Sequence, residues 1–428
     1  MVFRLVVLIG LVIAINSTLI AQDNDTFDSY FNEIKASTKK YKSLWNKDLY
    51  GPLILVDPKT RIVHSNYSDS LGIFKQNGKI YSGVLPYEIN ISNTAFDWNG
   101  RRWTMIMLPL SDTKMERVSL LAHELFHASQ PSLGFTLSNV DNNHLDQREG
   151  RIYLRLEMEA LKKCIKAKNK TELKNFLIDA FAFRKYRNSM YPGSADTENM
   201  LELNEGIAEY TGLIISDRNK NQTIEHFNNY LNSFFKNPTF VRSFAYHTIP
   251  VYGYLLRQTK PSWNQDIKYS TNLVDYFIKS FQISLPQEIK SYIEIKKDFY
   301  NGKQISTEEN LREEITLKLI AEYKNKFTVQ PHLDIFFEQM NVSFDPGNIM
   351  PVENLGTYYP DLRITDNWGI LSVKNGALIG PNWEKVSVTT PLKIEKNNIE
   401  GEGWRLELKE GYQLRKDEIS GHFKVVKV

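Results

Sequence analysis

Residues 123–127 read His-Glu-Leu-Phe-His, and two imidazoles four residues apart with a carboxylate beside the first are equipped to hold a metal ion and to work on a water bound to it. On an α-helix, positions i and i+4 lie one turn apart on the same face, so His123 and His127 can reach a single ion. Glu124 then points beside that ion. There it can take a proton from a metal-bound water and return it to a leaving amine, the division of labour that peptide hydrolysis needs. Zn2+ is the expected ion, and catalytic zinc takes three protein ligands and keeps one position for water.

The segment must sit on a helix for this to work, and its surroundings read as one. Thr113 to Glu116 (Thr-Lys-Met-Glu) has the form of a capping box, Val118, Leu121, Ala122 and Leu125 recur at helical spacing, and Pro131 ends the run. Upstream, Arg102 to Leu110 reads as a strand, whose edge beside the helix would suit an extended peptide.

A third ligand must come from elsewhere in the chain. Gln130 and Leu133 stand where the metzincin pattern requires glycine and histidine, which excludes that subclass. A glutamate from a second helix is the other common solution, and residues 198–216 form a candidate with an apolar stripe of Met200, Leu203, Ile207 and Ile214. Glu202, Glu205 and Glu209 on that helix compete with Glu157 and Glu159 on a helix from Arg151 to Lys168, and with His144 in a polar loop.

The pairing of His123-Glu-Leu-Phe-His127 with Asn204-Glu-Gly-Ile-Ala-Glu-Tyr210 resembles the gluzincin superfamily of metallopeptidases, and is distantly similar to the catalytic domain of the zinc aminopeptidases. The resemblance is specific at these two segments and looser over residues 90–260. It implies that Glu205 is the third zinc ligand. It also implies an oxyanion-stabilising tyrosine on the helix after that ligand, where Tyr246 is the first choice and His247 the next. Glu209, one turn beyond Glu205, is placed to accept a hydrogen bond from a metal-bound histidine. A long helix-rich stretch separates the two segments here, and the Gly-x-Met-Glu-Asn segment that recognises a substrate amine in the aminopeptidases is absent.

Composition bounds the rest. With 428 residues, 42% of them hydrophobic, the chain can bury one large core and a smaller one. The 53 basic and 50 acidic residues nearly balance, and neither a basic patch interleaved with aromatics nor a phosphate-cradling glycine loop is present, so nucleic acid is not an expected partner. Met1 to Ala21 reads as a secretory signal peptide, short and positive, then apolar, then small and polar, with no stable membrane span expected after its removal. Cys164, the single cysteine, excludes an internal disulfide. An exported chain of that kind suits a bacterial periplasm, outer envelope or secreted setting, and triplets such as Asn66-Tyr67-Ser68 would then be unglycosylated.

The expected architecture is α+β: a gluzincin-like catalytic core with an N-terminal antiparallel sheet lobe (residues 22–110), a mainly helical zinc-binding lobe (111–344), and a small all-β C-terminal domain (345–428). Leu53–Val56 and Ile62–Ser65 flank an Asp-Pro-Lys-Thr turn, Asn99-Gly100 closes a hairpin, and a Ser306-x-x-Glu309 capping box precedes a helix from Leu311 to Phe327. Trp404, Leu406 and Leu408 share one side of a late strand. The reading is an exported zinc metallopeptidase acting on a peptide or protein substrate. The competing reading is a catalytically silent zinc-fold binding or scaffold protein of the envelope, in which Glu124 would have no task.

Overall fold

The four-residue run Leu53–Val56 is apolar throughout, and a strand with no polar alternation must be covered on both faces. The computed structural model, which describes residues 24–136, 140 and 142–428, places it so. This strand, β1, lies inside a six-stranded sheet with β2 (Ile62–Ser65), β3 (Lys75–Asn77), β4 (Ile80–Val84), β5 (Thr94–Trp98) and β6 (Arg101–Met107), in the order β3-β4-β2-β1-β6-β5. Leu53 and Leu55 enter the main helical core, while Ile54 and Val56 enter a second core with Trp103 and Met105. Asn99 and Gly100 both have positive φ and close the β5–β6 hairpin, as expected of a two-residue turn.

Two expectations about this lobe change. The sheet is not purely antiparallel, because β1 and β6 run parallel. The strand leading to the helix of His123 and His127 is not an edge, because the hairpin folds β5 back beyond β6 and leaves β5 outermost.

The helical lobe comprises a helix over residues 24–40 (α1), then α2 (Lys114–Ser129), α3 (Arg148–Ile165), α4 (Lys170–Met190), α5 (Ser194–Leu201), α6 (Ile207–Ile215), α7 (Lys220–Phe234), α8 (Ala245–Arg257), α9 (Leu273–Ser280), α10 (Ile289–Lys296) and α11 (Gly302–Lys324). α2 packs between the sheet and α6, burying Val118, Leu121, Ala122, Leu125 and Phe126. Thr113 is its N-cap, but its side chain makes no capping hydrogen bond, and Glu116 turns to Arg218 instead (2.6 Å). α11 starts at Gly302, ahead of the expected capping box. Glu309 serves as a buried partner of Arg151 and Arg155 (2.7 Å each), a stronger demand than a cap. Among the described residues, no helix is long and apolar enough to cross a membrane. The expected signal peptide lies outside them.

The C-terminal sheet region begins at the strand His332–Phe336, before residue 345, and consists of a seven-stranded and a six-stranded sheet sharing one core. Asn375-Gly376 is a corner that passes the chain from one sheet to the other. Trp404, Leu406 and Leu408 point inward together, as their alternation requires.

A buried ionic ladder ties the helices that follow α2. Arg184 donates to Glu157 (2.7 Å) and forms a two-pronged pair with Glu202 (2.7 Å twice), and Arg187 bridges Glu157 (2.9 Å) and Glu198 (3.0 and 2.6 Å). His144 binds the same Glu198 (2.8 Å), and Tyr252 and Thr248 donate to Glu157 and Glu202. Removing one cation from such a ladder strands carboxylates in the interior. Arg184→Met is therefore expected to destabilise the fold by about 3–5 kcal/mol, read as a lowered urea midpoint with an unchanged m-value.

Candidate metal centre

Three elements bring the site together. α2 presents His123 and His127 one turn apart, a π-helical turn at Glu202–Gly206 joins α5 to α6 and carries Glu205, and α8 carries Tyr246. Two glycines set the spacing. A Cβ on Gly212 would lie 2.5 Å from the Ser119 carbonyl oxygen of α2, and one on Gly206 would lie 2.7 Å from Ile249 of α8. α6 can thus press against both neighbours and deliver Glu205 to the histidines.

His123, His127 and Glu205 form a group whose ligand atoms all lie within 4.8 Å of one another. His127 Nε2 is 3.0 Å from His123 Nε2 and 3.2 Å from Glu205 Oε2, and His123 Nε2 is 3.7 Å from that oxygen. A tetrahedral zinc with bonds of about 2.0–2.1 Å holds its ligand atoms about 3.3 Å apart, inside the range seen here.

The surrounding hydrogen bonds decide which nitrogens are free. Gln130, fully buried, donates its amide to the Asn204 carbonyl (2.9 Å), so its oxygen faces His127 Nδ1 (2.7 Å) and must accept from it. Glu209 lies 2.8 Å from His123 Nδ1. Burial disfavours its charge, but the contact with His123 outweighs that and holds its carboxyl below the usual range, so Glu209 accepts as well. Both Nδ1 atoms carry protons, and both Nε2 lone pairs converge on Glu205. A proton can relieve one pair of these acceptors, whereas a divalent cation satisfies all three. The donor set and its spacing fit a zinc ion.

Glu124 is buried, borders the cleft in front of the cluster, and makes no hydrogen bond or ion pair among the described residues. Burial raises its pKa above the ordinary glutamate value, against the pull of the two histidines. Tyr246 stacks on His123, with ring centroids 5.6 Å apart and planes 4° from parallel, and donates its hydroxyl to Glu205 Oε2 (2.7 Å). Burial, reinforced by Glu205, holds that phenol far above its normal pKa, so it stays a proton donor. The cleft measures about 1230 Å3.

Several sequence candidates lie elsewhere. Successive residues on a helix point about 100° apart, and with Tyr246 facing the cluster, His247 turns away. It donates Nδ1–H to the Ser243 carbonyl (2.8 Å), stacks on Tyr230, and is held neutral, its pKa lowered to about 4 by burial. It is not at the centre. Glu157 and Glu202 are consumed by Arg184, Glu159 pairs with Lys162 (2.8 Å), and His144 belongs to the ladder. Gln130 is the residue that sequence reading passed over, having registered only as a missing metzincin glycine. Its spacing, one turn after His127, was the available signal.

No protein-family model, curated protein or solved structure matches this chain. Gln130→Leu removes the acceptor that orients His127, and is expected to weaken zinc affinity about 10- to 100-fold. Competition with a chromophoric chelator measures this.

Proposed function

We propose that this chain is a zinc-dependent hydrolase of peptide bonds, with zinc held by His123, His127 and Glu205. The observation that carries the reading is the pair of converging imidazole lone pairs, closed by Glu205 and fixed by Gln130 and Glu209, beside an unpaired buried carboxylate. When bound, the ion would supply a Lewis acid and an acidified water.

The chain's own groups have the remaining tasks. Glu124, with a raised pKa and no competing partner, accepts a proton from water in the cleft and can hand it to the leaving amine. Tyr246, a permanent donor at the rim of the cluster, is positioned to stabilise negative charge on a carbonyl oxygen once its hydrogen bond to Glu205 is exchanged for one to substrate. Glu209 and Gln130 hold the two imidazoles in one tautomer each. A scaffold role would leave Glu124 buried, desolvated and without purpose.

Two substitutions test this together. Glu124→Gln should retain one equivalent of zinc by elemental analysis and lower kcat on a peptide library by about 10²- to 10⁴-fold. Glu205→Ala should lose the zinc. Absence of zinc from the purified wild-type chain would overturn the reading, as would undiminished cleavage by Glu124→Gln.

A further inference from the structure

The C-terminal β domain does more than cap the fold. The cleft that begins at His123, Glu124 and Tyr246 is closed on its far side by residues of that domain, among them Ser343, Asp345, Ser372 and Lys374. About a hundred residues of chain separate Tyr246 from Ser343, and more than two hundred separate His123 and Glu124 from it, so the cleft depends on the domain being seated against the helical lobe.

The seat is specific. Asn90, itself buried, donates to the Asn341 carbonyl (2.9 Å) and side chain (2.7 Å) and accepts from Arg363. Arg363 also donates to the Tyr87 carbonyl (2.7 Å) and lies over the Tyr87 ring, and Ser343 donates to the Ile91 carbonyl (3.2 Å). Residues 91–93 and 343–344, joined through this seam, both face the cleft. Each adjoins or belongs to the outermost strand of its sheet, β5 on one side and Asn341–Phe344 on the other. Sheet margins of this kind present backbone groups to an extended chain.

Apart from Glu124, the charged groups around the cluster have partners of their own. Glu209 holds His123, Glu116 pairs with Arg218, and Arg242 lies 3.7 Å from Glu205 Oε1, so each already has a partner within the protein. Across the cleft, Asp345 accepts from the Gly347 amide and Asp361 from Asn348. The volume exceeds the roughly 300–1000 Å3 typical of a small-molecule site.

We propose that the C-terminal β domain is the second wall of the substrate site, and that the substrate is an extended polypeptide gripped along its interior between the two lobes. This rests on the hydrolase reading and assigns it internal cleavage. Ser372 and Lys374 are the wall positions that report on it, since neither touches the metal cluster and Lys374 is exposed and without an ion pair among the described residues.

The test uses full-length protein carrying Glu124→Gln, loaded with zinc, and fluorescently labelled unstructured peptides either with free termini or acetylated and amidated. Fluorescence anisotropy should give equal affinity for both forms. Ser372→Trp and Lys374→Trp, each added to that background, should weaken binding by about tenfold or more, with zinc content unchanged. Because Lys374 is exposed, its variant remains informative if Ser372→Trp fails to fold. Binding insensitive to both substitutions, or confined to peptides with a free terminus, overturns this proposal alone. A zinc-loaded chain that binds neither peptide form overturns the hydrolase reading along with it.

Discussion

Two imidazole nitrogens 3.0 Å apart, each with its lone pair directed at the same point, repel one another unless a cation stands between them. The site is organised around that constraint. Both opposite nitrogens are committed as donors, one to Glu209 and one to Gln130, so neither ring can rotate its tautomer away from the conflict. Gln130 cannot relent either, because its amide is committed to the backbone of Asn204, the residue before Glu205. The hydrogen bonds that orient His127 therefore run through the segment that carries Glu205.

That segment depends on the stretch between them. α3, α4 and α5, inserted between His127 and Glu205, contribute Glu157, Arg184, Arg187 and Glu198 to a ladder with almost no exposure to solvent. Its last rung is Glu202, three residues before Glu205. Buried ion pairs seldom add much net stability over a well-packed apolar core, but they specify geometry wherever breaking one strands a charge. Here the two-pronged grip of Arg184 on Glu202 fixes the start of the π-helical turn, and Gly206 and Gly212 fix its depth. An insertion that looks like an interruption in the sequence is the scaffold of the segment that carries Glu205.

The helix of His123 and His127, its amphipathic face, the Asn99-Gly100 hairpin and the inward row of Trp404, Leu406 and Leu408 were legible because each follows from residues near one another in sequence. Failures occurred where a local signal met a non-local demand. Thr113 to Glu116 has the pattern of a capping box, yet Arg218 claims Glu116, and Ser306 to Glu309 has the same pattern, yet Arg151 and Arg155 claim Glu309. Tyr246 and His247 were equivalent as neighbours in a chain and opposite as neighbours on a helix. Residue types alone could not separate Glu157 from Glu205, because both are buried glutamates on helices and only the arriving partner, guanidinium or imidazole, distinguishes them.

By itself the sequence determined which chemistry the chain can support: a spacing of four residues on a helix places two imidazoles on one face, and the carboxylate between them beside that face. Tertiary structure decided how that chemistry is held. The hold of Asn204 on Gln130 and of Glu209 on His123, the ladder beneath Glu202, and the far wall of the cleft at Ser343, Ser372 and Lys374 all join residues about ten to more than two hundred positions apart. Such contacts are set by how sheets, helices and the C-terminal domain pack, since a side chain's partner in the interior is whichever group the backbone brings within reach.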